Sequence, residues 1–316
     1  MVDSNAADSR LILARDLALT GRDPRSIKGG LKGLRRGVYV DASHWEHAER
    51  ESRHRLMIRA VAETRRTKPV FSHVSAAILW GIPIVGWHLD RVHLSAAGVS
   101  TARTKNGVVW HHDAIDDSEI TEIDGVLATS FQRTVLDLAR SLPFASAVTV
   151  IDHAWRIGLE HPNRIASAGV NRESLVEALA PLAGRRGVRA ARAAVDFADP
   201  RSASPGESVS RSNIHLLHFP APELQVAFPR PGGGNDIVDF DWPEFDAFGE
   251  FDGLGKYIKP EFLQGRTTQE AVALEKAREN RIRKHRPFGA RWDWPIAIRP
   301  QLLRVELLQA GLRPVR

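Results

Sequence analysis

The sequence predicts a mixed α/β chain, and three observations carry that prediction. Apolar residues recur at helical spacing across residues 130–199. Short alternating runs bounded by turn signals fall at 91–95, 107–111 and 120–123. Two more alternating runs, 237–241 and 246–252, flank Trp242-Pro243-Glu244-Phe245, where the proline opens a turn but cannot sit in a central strand. With 316 residues, 43% apolar and 26% charged, the chain has room for two or three domains with packed cores. The chain is expected to divide into 1–45, 46–200 and 201–316.

Composition also excludes function classes. No apolar run of about 18 residues is present and the first thirty residues lack the apolar stretch of a signal peptide, so a cytoplasmic chain with no membrane partner is expected. The absence of cysteine removes disulfides, thiolate zinc sites and thiol nucleophiles together, and leaves Asp, Glu and His to hold any metal. The formal charge of +6 suits a polyanionic partner.

Taken in order, residues 9–20 read as a helix with Leu11, Ile12, Leu17 and Leu19 apolar, closed by Gly21. Asp23-Pro24 then opens a second helix. A hairpin at 33–40 completes a winged helix-turn-helix, which places Arg25, Lys28, Lys32, Arg35 and Arg36 on its DNA-facing helix and wing. Gly29-Gly30 shortens that second helix, since each glycine costs about 1 kcal/mol there, so phosphate contacts are expected before base contacts. The competing reading is a small capping subdomain with solvated cations.

Residues 41–68 read as helical, with His44, His47 and His54 on a solvated face. A helix at 75–80 and strands at 91–95, 107–111 and 120–123 follow, with Asp124-Gly125 marking a hairpin. His111, His112, Asp113, Asp116 and Asp117 read as a polar loop, because adjacent strand residues point to opposite faces. His73 and Ser75 are not expected to form a catalytic pair, since no Asp partner is placed and Ser75 suits helix entry. Along 130–199 core packing explains most apolar positions. Arg185, Arg189 and Arg192 are spaced for one helix face, which is either a DNA-backbone track or a solvated face.

A turn-rich linker at 199–206 precedes the last segment, where Ser204 and Glu207 form a capping box with Pro205 in the first turn. In the hairpin beyond it, Val238, Phe240 and Trp242 should share a face with Phe245, Ala247, Gly249 and Phe251. Asp239 and Asp241 should share the other with Phe248, Glu250 and Asp252. Carboxylates so gathered need a cation or a nearby base, and hard oxygen donors suit Mg²⁺ or Mn²⁺. Asp239, Glu250 and Asp252 are the candidate metal ligands. A helix at 267–286 with a Thr267/Glu270 cap and a basic end, a strand at 292–298 and a helix at 302–310 close the chain.

Asp239 in one strand, Glu250-x-Asp252-Gly253 in the next and a helix entered through Ser204-Pro205-x-Glu207 together resemble the PD-(D/E)XK nuclease superfamily, in particular its branch like the very short patch repair endonucleases. Upstream, the chain resembles the actinobacterial AbiEi-type antitoxins at residues 34–40 (Leu-Arg-Arg-Gly-Val-Tyr-Val), 72–77 (Ser-His-Val-Ser-Ala-Ala), 79–83 (Leu-Trp-Gly-Ile-Pro) and 133–139 (Arg-Thr-Val-Leu-Asp-Leu-Ala). Together these resemblances cover most of the chain. They imply an AbiEi-like α/β middle domain at 46–200 and a restriction-endonuclease-like α/β/α domain at 201–316. In the latter, Asp239, Glu250, Asp252 and the helix-borne Glu207 would hydrolyse DNA phosphodiesters with Mg²⁺ or Mn²⁺. The superfamily's usual lysine two residues after that glutamate is Asp252 here, which leaves Lys256 or Lys276 to bring an ammonium to the site. The upstream resemblance implies the alternative, a non-catalytic transcriptional autorepressor and antitoxin of bacterial defence, partnered by a nucleotidyltransferase-like toxin.

Overall fold

The structure is a computed structural model that describes residues 11–19, 21, 30–96, 104–161, 169–253 and 267–315. Two units divide the chain after Ser141.

In the first unit, β1 (Ile12–Leu13), α1 (Ala14–Leu19), β2 (Leu31–Arg35) and β3 (Val38–Asp41) build a small antiparallel sheet in the order β1-β3-β2. The hairpin expected at 33–40 is therefore present, turning at Arg36-Gly37 where Gly37 takes φ 78°. The helix expected from residue 9 starts later, because Ile12 and Leu13 pair with Tyr39 and Val38. A ladder that satisfies backbone groups and covers β3 outweighs helical spacing in so short a segment. The expected second helix, with Arg25 and Lys28, lies outside the described residues.

The helical stretch expected at 41–68 is broken at Ala48, whose backbone is extended, into α2 (Ala42–His47) and α3 (Arg50–Glu63). Asp41 starts α2 by accepting the His44 amide at 2.9 Å. Then come β4 (Val70–Phe71), α4 (His73–Trp80), β5 (Val92–Ser95), β6 (Val108–His111), β7 (Ile120–Ile123), β8 (Val126–Thr129) and α5 (Phe131–Ser141). The five strands form a mixed sheet in the order β6-β5-β4-β8-β7. Asp124 and Gly125 turn β7 into β8 with φ 49° and 81°, the left-handed pair that a two-residue hairpin requires. Ile58, Val61, Phe71, Ile78, Leu94 and Ala128 form the core beneath.

The second unit contains α6 (Phe144–Glu160), α7 (Arg172–Leu179), α8 (Val188–Phe197) and α9 (Pro205–Leu216). After them come β9 (Glu223–Pro229), β10 (Asn235–Trp242), β11 (Ala247–Phe251), α10 (Thr268–Ile282), β12 (Phe288–Trp292), α11 (Trp294–Ala297) and α12 (Pro300–Gln309). The boundary expected near 200 falls inside this unit. Arg211 of α9 binds both carboxylate oxygens of Asp152 on α6, at 3.1 and 2.9 Å, and the Phe197 carbonyl at 2.8 Å. Asp152 also accepts the Asp199 amide. The turn-rich linker is thus fastened on both sides by buried hydrogen bonds.

The sheet runs β12-β11-β10-β9: β9, β10 and β11 form an antiparallel meander, and β12 joins β11 in parallel after α10. The strand expected at 292–298 lies earlier, at 288–292. Asp293 accepts the Ile296 amide and Pro295 follows in the first turn, so the chain leaves the sheet as a helix. One face of the sheet carries Phe240, Trp242, Ala247, Phe251 and Trp292 against Ile214 and Leu303. The packing there is close, and a Cβ on Gly206 of α9 would sit 2.1 Å from the Phe251 ring. The second cluster joins Phe228, Val238 and Phe248 to Ile282 of α10. Val238 thus departs from the expected face, and the alternation of β10 breaks beside Asp239.

Candidate functional site

The break at Asp239 organises the site. Strands β10 and β11 pair through Phe240↔Gly249, Asp241↔Phe248 and Trp242↔Ala247. Past that point the Asp239 carboxylate takes over, accepting the Phe251 N–H at 2.8 Å in place of a strand carbonyl. Its other oxygen accepts from the Gln225 side chain at 3.3 Å, and the same amide donates to Glu207 at 2.9 Å. Gln225 reaches both from β9 with φ 54°, a left-handed backbone inside a strand. Glu207 also accepts the Ala203 amide at 2.8 Å, while Ser204 accepts the Glu207 amide. The expected capping box is therefore half formed, with Ser204 accepting the Glu207 amide but Glu207 turning to Ala203, and Glu207 meets Asp239 through Gln225.

Glu250 is buried on β11 opposite Arg291 of β12. One oxygen accepts from Arg278 of α10; the other lies 2.5 Å from Arg291 Nη2 yet has no aligned hydrogen bond. Glu275 closes the arrangement, accepting from Arg278 at 2.9 Å and Arg291 at 2.6 Å. Burial acts to lower the Arg278 pKa, and Glu250 and Glu275 more than reverse it, holding the guanidinium above its ordinary value. Asp252 is half-buried, 4.0 Å from Arg291. Along β10, Asp241 is gripped by Arg286 at 2.6 and 2.8 Å. Asp236 binds Arg281 at 2.7 and 3.1 Å, and those hydrogen bonds hold its carboxyl below the usual range.

The expectation that crowded carboxylates need neutralising therefore holds, but arginines supply the charge. Arg278, Arg281 and Arg286, which the sequence offers as helix-dipole support, face Glu250, Asp236 and Asp241 instead. Among the described residues no group of three or more His, Asp or Glu side chains is arranged to hold a metal ion. The oxygen donors suit Mg²⁺ or Mn²⁺ in kind, but with Glu250 between two guanidiniums they do not fit such an ion as arranged. Lys276 is exposed on α10, and Lys256 lies outside the described residues.

In the β2–β3 hairpin, Lys32 and Arg36 are exposed. Arg35 turns inward, donating to Thr64 Oγ1 at 3.1 Å and to the Asn106 carbonyl at 3.2 Å. The expected alignment of Arg185 with Arg189 and Arg192 is not found: α8 starts at Val188 after Gly187, whose φ is 81°, so Arg185 lies in the preceding turn. Arg189 and Arg192 are exposed on the helix.

A third constellation escaped the sequence reading. Ser75 accepts the His93 amide at 2.8 Å and bonds His54 Nε2 at 2.9 Å. His54 Nδ1 donates to the Leu89 carbonyl at 3.0 Å, which makes Nε2 the acceptor. His73 stacks on His111 with ring centroids 3.4 Å apart, and His111 Nε2 meets His93 Nδ1 at 2.9 Å. Asp137 of α5 binds Arg133 at 2.9 Å and lies 3.9 Å from His73. Burial pushes the Asp137 carboxyl up to about 6, against the pull of Arg133. Ser75 is thus paired with His54 rather than His73. Pairing of β5 with β6 brings His93 to His111, and no local spacing could have announced that contact.

No protein-family model matches the chain. Two uncharacterized proteins of Mycobacterium tuberculosis, one from each of two strains, are 30% identical to it over 177 residues. The match takes in 56% of this chain and 60% of each relative.

Proposed function

We propose that the protein binds duplex DNA through its first unit, and that its second unit is an endonuclease-like domain whose acids serve structure rather than cleavage. The observation that carries this reading is the arginine matching of the acid site. Glu250, Asp241 and Asp236, the charges a metal would have to neutralise, already have guanidinium partners on α10, on β12 and just beyond α10. The helix, meander, helix and parallel strand, with Glu207 joined to Asp239 through Gln225 and Glu250 on the neighbouring strand, support the nuclease-like ancestry. The exposed Lys32 and Arg36 of the wing support DNA binding. On this reading the protein acts as a cytoplasmic autorepressor, and the upstream resemblance extends the reading to an antitoxin with a nucleotidyltransferase-like toxin.

One observation favours a second reading, metal-dependent cleavage. Glu250 has a buried oxygen with no aligned hydrogen bond, an acceptor that a cation could use once Arg291 moves aside. The ion would supply an activated water and charge on the phosphate. Asp239 and Glu250 would hold it with Asp252 alongside. Incubation of supercoiled plasmid with the protein and Mg²⁺ or Mn²⁺, read beside a gel-shift assay, separates the two. The expected result is a shifted plasmid that stays supercoiled; nicking that Asp239→Ala abolishes would replace the first reading with the second.

A further inference from the structure

Outside the wing, the first unit carries a cleft of about 570 Å³ between the end of α3 and the β7–β8 turn. Four cations line it, Arg59, Arg65, Arg66 and Lys68, against two acids, Glu63 and Asp124. Glu63 is bound to Arg15 at 3.3 Å and Lys68 to Glu122 at 3.5 Å. All four of those side chains are exposed, so both pairs are weak and readily exchanged.

Arg65 is the unusual member. It is half-buried, its guanidinium lies 5.0 Å over the Trp110 ring, and its buried Nε has no hydrogen-bond partner. Arg65 is nonetheless one of the residues that line the cleft, beside the exposed Arg66 and Lys68. Arg35 of the wing reaches the same helix end through Thr64, directly before Arg65. Burial lowers the Arg35 pKa, and the like charge of Arg65 lowers it further. Cations brought together on a concave surface, against only two acids, call for an anion with several oxygens and repeated charge.

We propose that this cleft binds the sugar–phosphate backbone of duplex DNA beside the segment engaged by the wing, with Arg65, Arg66 and Lys68 contacting successive phosphates. The proposal rests on the DNA-binding reading and extends the footprint beyond the wing.

The test is a duplex-binding isotherm measured by fluorescence anisotropy from about 50 to about 200 mM salt, where phosphate contacts set the slope of log affinity against log salt. Each phosphate contact contributes about 0.9 to that slope, so Arg66→Gln with Lys68→Gln should lower its magnitude by about 2. Both residues are exposed, and unchanged melting temperature of the double variant checks that it folds. If the wild type binds duplex and the double variant keeps the full slope, the cleft proposal is overturned while DNA binding stands. If the wild type fails to bind duplex even at low salt, the DNA reading falls and takes this one with it. A third arm adds inorganic phosphate at constant ionic strength. Stabilisation of the wild type but not of the variant, with the duplex slope unchanged, would make the cleft a free-phosphate site and overturn the backbone assignment.

Discussion

In the first unit much of the buried polar surface belongs to imidazoles, with His54, His73 and His93 all under a tenth exposed. In the second unit most buried carboxylates face guanidiniums, as in Asp152 with Arg211 and Asp241 with Arg286. The imidazole network is held by tautomer order: Ser75 donates to His54 because His54 already donates to Leu89. The carboxylate lattice is held by charge, and each member depends on its partner being present. The first arrangement is therefore vulnerable to protons, the second to deletion.

The sharpest way to break that contrast is to delete one partner of the deepest pair. Arg211→Ala should cost about 3–5 kcal/mol, because it strands the fully buried Asp152 carboxylate, and urea denaturation would measure the loss. A cost below about 1 kcal/mol would mean that the pair is not the fastening it looks to be.

Acid should act on the first unit next. Burial holds His93 at about 3 and His111 at about 4, against an ordinary value of 6.5, and also pushes His73 well below it. The unfolded chain therefore binds more protons between about 4 and 6.5, so stability from these rings is present above 6.5 and is lost as pH falls through that window. Asp137 opposes this: with a folded value of about 6 against 3.8, it adds stability as pH falls from about 6 toward 3.8. Three imidazoles against one carboxyl leave net acid destabilisation. Hydrogen exchange at pH 7 and pH 5 should find the amides of β4, β5 and α4 losing protection before those of β10 and β11; equal loss in both sheets would remove the distinction.

Ser75→Ala tests the tautomer argument itself. It leaves the His54 Nε2 acceptor and the His93 N–H without a partner, at about 1–3 kcal/mol for a buried unmet group, measurable as a lowered melting temperature. Smallest is the effect expected of Mn²⁺ on the second unit. With Glu250 between Arg278 and Arg291, millimolar Mn²⁺ should leave the melting temperature of the wild type unchanged, whereas a saturating metal site would add about 2.7 kcal/mol at a hundredfold excess over its dissociation constant. A shift that Asp239→Asn removes would put a cation where the arginines now stand.

What the sequence made legible was local. The Asp124-Gly125 turn, the Thr267/Glu270 and Ser204 caps and the hairpin within 33–40 are short-range chemistry, and each lies where its residues indicated. Leu224, Val226 and Phe228 alternate as a strand should, but prolines on either side hid β9. Alternation alone puts Asp241 and Glu250 on one face, but Asp239, expected with them, sits where that alternation breaks. The partners of the acids were not legible: Asp241 and Arg286 lie 45 positions apart, and Asp236 and Arg281 likewise. Only the packing of α10 on the sheet brings them together. The same holds for Asp137, absent as a neighbour of His73 until α5 folds back beside α4.

The parallel seam between β11 and β12 has a kinetic consequence. A parallel neighbour has to wait for its crossover, here the whole of α10, and closing so long a loop is slow compared with forming the meander. Until β12 arrives Glu250 remains in water, solvated and harmless. The strand that buries it also delivers Arg291, and the helix that precedes the strand delivers Arg278. Dehydration of the acid and the arrival of its counter-charges are thus one step on the folding route, and at no stage does the chain have to hide that charge alone.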